Sequence, residues 1–366
     1  MIMGRTVAVV GGGYGGSAVA KALDADADVV LIEPRDAFVH AAGALRALVQ
    51  PDWAGNIFFP YDRLLARGRV VRDRAAAVDE RGVTLASGAR VDADYIVVAS
   101  GSGYPYPAKI ESDDAAEALE RLRLTHKELA GANRVLIAGA GPVGLELAGE
   151  IKAVWPEKAV TIVDPAAEPM PGLLPELRAE LLRQLAGLGV DLRLGTSLAA
   201  EPPVGPAVAE TFTVAAGDAE ITADIWFRAY GVRPNGDFLG DGLGGGARTG
   251  DGRLRVTGRL NVHGHDHVYA LGDITDVPEA KMAGHAMRHA DVIAANIAAQ
   301  VRGDAPESVY EPSPVRGILL PLGPAGGVGQ FPGEDGTAFL LPTEQVIEYK
   351  GRALMTEMFA ELFGTA

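Results

Sequence analysis

Thr6-Val7-Ala8-Val9-Val10-Gly11-Gly12-Gly13-Tyr14-Gly15-Gly16, close to the start of the chain, joins an apolar run to a cluster of glycines. An unbroken short β-rich run such as Thr6 to Val10 suits a strand buried on both faces of a parallel sheet. Glycines follow at G-x-G-x-x-G spacing, then a helical stretch from Ser17 to Leu23. A second apolar run, Asp28-Val29-Val30-Leu31-Ile32, ends in Glu33. Each part has a physical task. Gly11 permits a tight turn, Gly13 lets backbone approach a pyrophosphate, and Gly16 lets helix and strand pack closely. The helix N-terminus offers amide donors and positive dipole, and Glu33 accepts from ribose hydroxyls.

The pattern recurs. Arg134-Val135-Leu136-Ile137-Ala138 leads into Gly139-Ala140-Gly141-Pro142-Val143-Gly144, then a helix from Leu145 to Val154, then Ala159-Val160-Thr161-Ile162-Val163 ending in Asp164. One such motif is weak in a chain with 47 glycines. Two, each in the full strand–helix–strand–acid context, predict two dinucleotide sites, and so an electron relay from a nicotinamide to a flavin. Later segments fit the flavin half. The strand from Ala93 runs into the small-residue turn Ala99-Ser100-Gly101, and Val268-Tyr269-Ala270-Leu271-Gly272-Asp273 feeds a helix from Lys281 to Val301. An Asp at a strand's C-terminal end, beside a helix start, can accept from a ribityl hydroxyl.

Composition narrows the chemistry. At roughly 150 residues per domain, 366 residues predict two or three domains. With 48 acidic against 33 basic side chains, the formal charge of −15 excludes a nucleic-acid partner and weakens the case for an anionic membrane surface. The absence of cysteine removes disulfides, iron–sulfur clusters and thiol nucleophiles, so redox chemistry falls to a bound cofactor. No signal peptide is read in Met1 to Thr6, and with Met3 as the start Ala8 would break the myristoylation pattern. No run of 18 apolar residues occurs, and the expected location is cytoplasmic.

Taken together, Gly11–Gly16, Glu33, Ala99-Ser100-Gly101, Gly139–Gly144 with Glu146, Gly231-Val232-Arg233-Pro234-Asn235 and Gly272-Asp273 resemble the two-dinucleotide-binding flavoprotein reductases. Further likeness lies in Ala44-Leu45-Arg46-Ala47, Glu150-Ile151-Lys152 with Pro156-Glu157-Lys158, Lys281-Met282-Ala283 and Gly327-Val328-Gly329-Gln330. These resemble the apoptosis-inducing-factor-like branch, specifically the ferroptosis-suppressor-type NAD(P)H:quinone oxidoreductases. The resemblance implies an α/β fold with two Rossmann-like domains, for FAD and NAD, of the glutathione-reductase-like type, plus a short C-terminal segment. The FAD domain would be discontinuous, 1–108 and 244–312; the NAD(P)H domain would span 109–243, entered through a helix from Asp113 to Leu129. Residues 313–366 would cover the flavin or form an interface.

The same resemblance implies non-covalent FAD, with Arg46 against its diphosphate, Ala75 at a backbone contact with adenine and Asp273 at the ribityl chain. It puts Lys281, beside Met282, close to the isoalloxazine end, and Glu146 at the nicotinamide or its ribose. A cation at Lys281 would stabilise anionic reduced flavin. His40 and His285 are candidates for proton delivery to a reduced acceptor. At Asp164 a carboxylate accepts from a free 2′-hydroxyl and repels a 2′-phosphate, while Pro165-Ala166-Ala167-Glu168 offers no arginine, so NADH is expected over NADPH. His263, His265 and His267 alternate, but Gly264 and Asp266 favour a turn over a metal-binding strand, and no metal site is expected.

Leu354, Met355, Met358, Phe359, Leu362 and Phe363 fall on one face of a C-terminal helix. Its acidic polar side disfavours lipid docking, so packing over the flavin or a homodimer contact is expected. The leading function is electron transfer from NADH through FAD to a quinone or similar flat aromatic acceptor. The missing cysteines exclude the reductases that work through a thiol pair. A ferredoxin-type carrier-protein reductase is disfavoured by the acidic surface and by Pro34 to His40, which lacks the expected Arg-Pro-Pro-Leu-Ser-Lys-like segment. A specialised-metabolite oxidoreductase and a non-enzymatic NADH/flavin redox sensor complete the alternatives.

Overall fold

The computed structural model describes residues 4–240, 243 and 246–365. Two parallel sheets carry the architecture, and each grows from one glycine motif. The first has the strand order Val268–Ala270, Tyr95–Val98, Thr6–Val10, Asp28–Ile32, Arg69–Val71. Val7, Ala8 and Val9 at its centre have no exposed surface, which is why that strand is uniformly apolar instead of alternating. Helix α1 (Tyr14–Leu23) follows the first motif. The next two helices in sequence are α2 (Ala44–Val49) and α3 (Ala115–Gly131). The Asp114 carboxylate caps α3 by accepting from the amides of Ala116 and Glu117, so this helix starts slightly later than its charge pattern predicts.

The second sheet has the order Val190–Leu194, Ala159–Asp164, Arg134–Ala138, Ile225–Arg228, again all parallel. It carries α4 (Pro142–Val154) and α5 (Pro175–Gly187). The chain then returns to the first sheet through Val268–Ala270 and α6 (Ala283–Arg302). A three-stranded antiparallel sheet follows, Ile318–Pro321, Gly327–Pro332 and Ala338–Leu341. After it come α7 (Thr343–Val346), a π-helical turn at Ile347–Gly351 and α8 (Thr356–Leu362).

One apolar cluster runs across these parts. It joins Leu45 and Leu48 of α2 to Leu145 and Ile151 of α4, Phe227 of the second sheet, Leu320 of the C-terminal sheet and Leu322 just after its first strand. The contact is close: a Cβ on Gly149 would fall 2.5 Å from Leu322 Cα. The divisions expected at 108/109 and 312/313 are therefore bridged by shared core, which resists hinge motion between them. The division expected at 243/244 touches residues outside the described ones, as do Met1 to Met3.

The C-terminal face departs from its expected form. A single helix from Leu354 is not made, because Leu354 and Met355 adopt φ of 52° and 61°, and α8 begins at Thr356. Leu354, Phe359 and Phe363 are buried while Met355 and Met358 are exposed. Phe359 and Phe363 stack on Phe38, with ring centroids 5.3 and 4.9 Å apart, and Phe363 meets Tyr61 edge-on. The segment thus covers the first nucleotide unit with aromatic surface.

Candidate active site between two nucleotide units

In the first unit Gly11 has φ +103°, and a Cβ there would lie 2.6 Å from Ala99 O. A Cβ on Gly16 would lie 1.8 Å from Gly11 O, so helix and turn meet backbone to backbone. Gly13, by contrast, is exposed and faces open space at the start of α1, where amide donors and the helix dipole can receive a diphosphate. Gly15 is packed against Leu271 and Ala286, where α1 crosses α6. Gly12 N donates to Glu33 Oε2 at 2.6 Å and Arg35 N to Glu33 Oε1 at 3.0 Å. Ala75 begins a strand shortly after Arg69–Val71, and Glu33 N bonds Val71 O, which brings Ala75 to the Glu33 end of the sheet.

The second unit repeats the device. Gly139 has φ +115°, a Cβ on Gly144 would lie 2.0 Å from Gly139 O, and Gly141 faces open space. Ala140 N donates to Asp164 Oδ2 at 2.7 Å and Ala166 N to Oδ1 at 2.8 Å. Pro142 takes the first turn of α4, where no amide is missed, and Val143 follows half-buried.

The two units are sewn together at their nucleotide ends. After Gly231, at φ +97°, Arg233–Pro234 pairs with Ser102–Gly103. Asn235 Nδ2 donates to Ser100 O at 2.9 Å, Asn235 N to Gly101 O at 3.0 Å, and Ser100 Oγ to Asn235 O at 2.6 Å. Ser102 Oγ donates to Asp273 Oδ2 at 2.5 Å. Lys109, absent from the sequence reading, donates to Ser102 Oγ at 2.9 Å and lies 3.4 Å from Asp273. Burial lowers the Lys109 pKa while Asp273 opposes that shift.

Arg46, the residue expected at the flavin diphosphate, pairs here with a carboxylate of α4. Its Nη2 and Nε donate to both oxygens of Glu150, at 2.7 and 3.1 Å, and Nη1 donates to Arg352 O at 2.7 Å. With side-chain exposures of 2% and 4%, this bidentate pair sets the Arg46 charge against Glu150. One turn earlier on α4, Glu146 Oε1 accepts from Lys350 Nζ at 2.8 Å, and Lys350 also bonds Leu319 O at 3.1 Å. Burial raises the Glu146 pKa and Lys350 opposes it.

His40, expected as a candidate for proton delivery, is held at both ring nitrogens. Tyr14 OH donates to Nδ1 at 3.0 Å, and Nε2–H donates to Leu354 O at 2.6 Å. Desolvation pushes its pKa down to about 4, so at neutral pH it is uncharged with both nitrogens engaged. Lys281 is half-buried beside Met282, the N-cap of α6, and its ammonium turns back to Val277 O at 2.8 Å. Burial lowers its pKa. His285 donates from Nδ1 to Ala280 O at 2.8 Å. His263, His265 and His267 lie in and after a turn, and the last two reach Glu80.

These residues fit FAD in the first unit: an open glycine cradle at a helix start, a buried carboxylate beside it and Asp273 at the far end. Among the described residues no helix is long and apolar enough to cross a membrane. Ferroptosis suppressor protein 1 of Taeniopygia guttata is 32% identical over 338 residues, covering 89% of this chain and 88% of the relative. Apoptosis-inducing factor homolog B of Dictyostelium discoideum is 28% identical over 348 residues, covering 89% of each. Among solved structures, the sulfide:quinone oxidoreductase of Aquifex aeolicus superposes with a TM-score of 0.75 at 16% identity, covering 98% of this chain and 90% of that one. The water-forming NADH oxidase of Lactobacillus brevis gives 0.68 at 22% identity, covering 89% and 75%. Such structural likeness speaks to fold alone. A family model described as pyridine nucleotide-disulphide oxidoreductase matches residues 5–290. That match takes in both glycine cradles, their acids and the Gly272-Asp273 turn, and the chain belongs to the pyridine nucleotide-disulphide oxidoreductase family.

Proposed function

We propose that this chain, an FAD-dependent NAD(P)H oxidoreductase, draws on NADH in preference to NADPH and reduces a quinone-type flat aromatic acceptor. FAD, when bound, supplies hydride acceptance and onward electron transfer. The chain's own residues bind, orient and exclude water. Gly13 and the first amides of α1 receive the diphosphate, Glu33 the adenosine ribose, and Asp273 the ribityl hydroxyls. Gly141 and α4 hold the nicotinamide dinucleotide. Asp164 accepts from its ribose. Glu146, kept in place by Lys350, stands where α4 meets the C-terminal segment and orients the nicotinamide end. The Arg46–Glu150 pair locks α2 to α4, so the two sites keep a fixed separation, as hydride transfer requires.

One observation carries the acceptor reading: the chain has no cysteine, so electrons cannot be stored on a thiol pair and leave from the flavin itself. A small planar acceptor suits that exit better than an acidic carrier protein, which a −15 surface repels. Support for NADH comes from Asp164 and from the charge of Arg178, near the loop that follows it, being met by Glu168 at 3.4 Å. The test is a panel of short-chain quinones, dyes, oxygen and a ferredoxin-type protein, run with each coenzyme on the purified protein. A yellow protein turning over quinones with NADH is expected. A colourless protein that cannot be reconstituted with FAD, or turnover with the carrier protein alone, overturns the reading.

A further inference from the structure

Between the turn at Gly272 and the first half of α6 lies a polar cluster that the hydride path does not use. Glu279 and His289 have side-chain exposures of 4% and 1%, and Glu279 Oε1 lies 2.8 Å from His289 Nε2. Glu279 Oε2 accepts from Tyr310 OH at 2.6 Å, and Arg288 Nη2 donates to that hydroxyl oxygen at 3.0 Å. His285 Nδ1 stands 3.4 Å from the same carboxylate oxygen. Its neighbours hold Glu279 ionised, His289 and Tyr310 foremost, against a burial cost that acts the other way.

The far side of the imidazole reaches the cofactor end of the fold. Gly272 N–H donates to His289 Nδ1 at 3.1 Å. That bond decides the tautomer: Nδ1 accepts, so the ring hydrogen sits on Nε2, toward Glu279. The Nε2 contact is short but bent away from the N–H direction, so it acts as a charge–dipole clamp more than a straight hydrogen bond. Gly272 has φ +69° and packs against Ala286 of α6; Asp273 follows it directly. A chain thus runs inward from the exposed Arg288 through Tyr310, Glu279 and His289 to Gly272.

We propose that Glu279 and His289 are a positioning pair that holds the Gly272 amide and thereby sets Asp273 for the ribityl hydroxyls of FAD. This rests on the flavin reading above. Neither side chain touches the reacting atoms; both act through the turn.

The experiment is FAD titration of apoprotein, with the flavin reduction potential and apoprotein melting temperature measured alongside. His289→Asn puts an oxygen where Nδ1 was and keeps the acceptor for Gly272. His289→Gln reaches Glu279 but withdraws that acceptor. Loss of one buried hydrogen bond predicts FAD binding about tenfold weaker in His289→Gln, against less than about threefold in His289→Asn. The potential is expected to move in the Gln variant only, with the two apoproteins melting alike. A purely structural role would instead weaken both equally and lower both melting temperatures. Should His289→Gln not fold, Glu279→Ala serves, with about fivefold weaker binding expected from the lost clamp. Wild-type affinity in His289→Gln, or in Glu279→Ala where the Gln variant does not fold, overturns the pair while leaving the flavin reading intact. A wild-type apoprotein that takes up no FAD overturns both.

Discussion

Gly12 N reaches Glu33 at 2.6 Å in the first nucleotide unit, and Ala140 N reaches Asp164 at 2.7 Å in the second. Around that shared device the units diverge. In the first, Gly12 O accepts from Ser17 Oγ at 2.7 Å and from Tyr61 OH at 2.8 Å. Glu33 is 3% exposed, and Phe363 of the C-terminal segment closes over Tyr61. In the second, Leu145 occupies the place of Ser17 and has no donor, and Asp164 is half-buried. Gly15 is pressed between Leu271 and the backbone of Ala286, while its counterpart Val143 carries a side chain. The first turn is braced from behind its cradle, as suits a resident cofactor; the second lacks those braces, as suits a coenzyme that must leave each turnover.

Substituting the close-contact glycines breaks the units one at a time, and this is the largest expected effect. In Gly16→Ala the new methyl group meets a backbone oxygen, which cannot move without opening the turn. The strain exceeds the ~1–3 kcal/mol of ordinary overpacking. Gly16→Ala is expected to give no flavin-loaded protein, seen as loss of visible absorbance in the soluble fraction. Gly144→Ala is expected to stay yellow and lose NADH binding, seen as a rise of at least about tenfold in KM. Colour lost from both or from neither would mean the units are not divided in this way.

The next effect tests what joins them. Glu150→Leu leaves the Arg46 guanidinium buried and unpaired, which costs about 3–5 kcal/mol. Arg46→Met with Glu150→Leu replaces the pair by apolar volume and is expected to recover most of that in urea unfolding. The double variant also settles the role of Arg46. FAD affinity unchanged from wild type is expected if Glu150 is its partner, and a large loss would restore the diphosphate role.

His40 closes the covered unit and gives it a pH dependence. Its folded pKa of about 4 lies below the ordinary 6.5, so the unfolded chain takes up the proton first. Stability from this site is present above about pH 6.5 and is lost as pH falls through about 4, to the extent of ~1–3 kcal/mol. His40→Gln is expected to flatten that limb in acid unfolding curves, and an unchanged limb would place the titration elsewhere.

The glycine cradles were legible in sequence because a positive φ and a backbone close approach are local demands that few residues meet. Partners supplied from far along the chain were not. Lys350 comes to Glu146 across 204 residues, and Glu150 to Arg46 across 104. A signal did exist: Glu146 and Glu150 lie one turn apart on α4, which apart from Lys152 carries no other charge, and carboxylates withdrawn from water call for cations. For His40, its neighbour Tyr14 was known as a motif residue, but Leu354 O, its other partner, depends on a left-handed turn at Leu354 that periodicity does not encode.

The smallest expected effect bears most directly on the difference between resident and exchanging nucleotide. Asp164→Asn keeps one acceptor for Ala140 N and removes the negative charge, so the 2′-phosphate of NADPH is no longer repelled while the hydrogen bond to the NADH ribose weakens. The ratio of kcat/KM for NADH over NADPH is expected to fall about tenfold, equivalent to about 1.4 kcal/mol. Glu33→Gln, the matching change in the covered unit, is expected to loosen FAD and leave that ratio unchanged. Steady-state rates with both coenzymes at saturating quinone measure the first, and FAD release during gel filtration the second. A coenzyme ratio that moves with Glu33, or fails to move with Asp164, would overturn the proposed assignment, in which each carboxylate reads only the ribose in its own cradle.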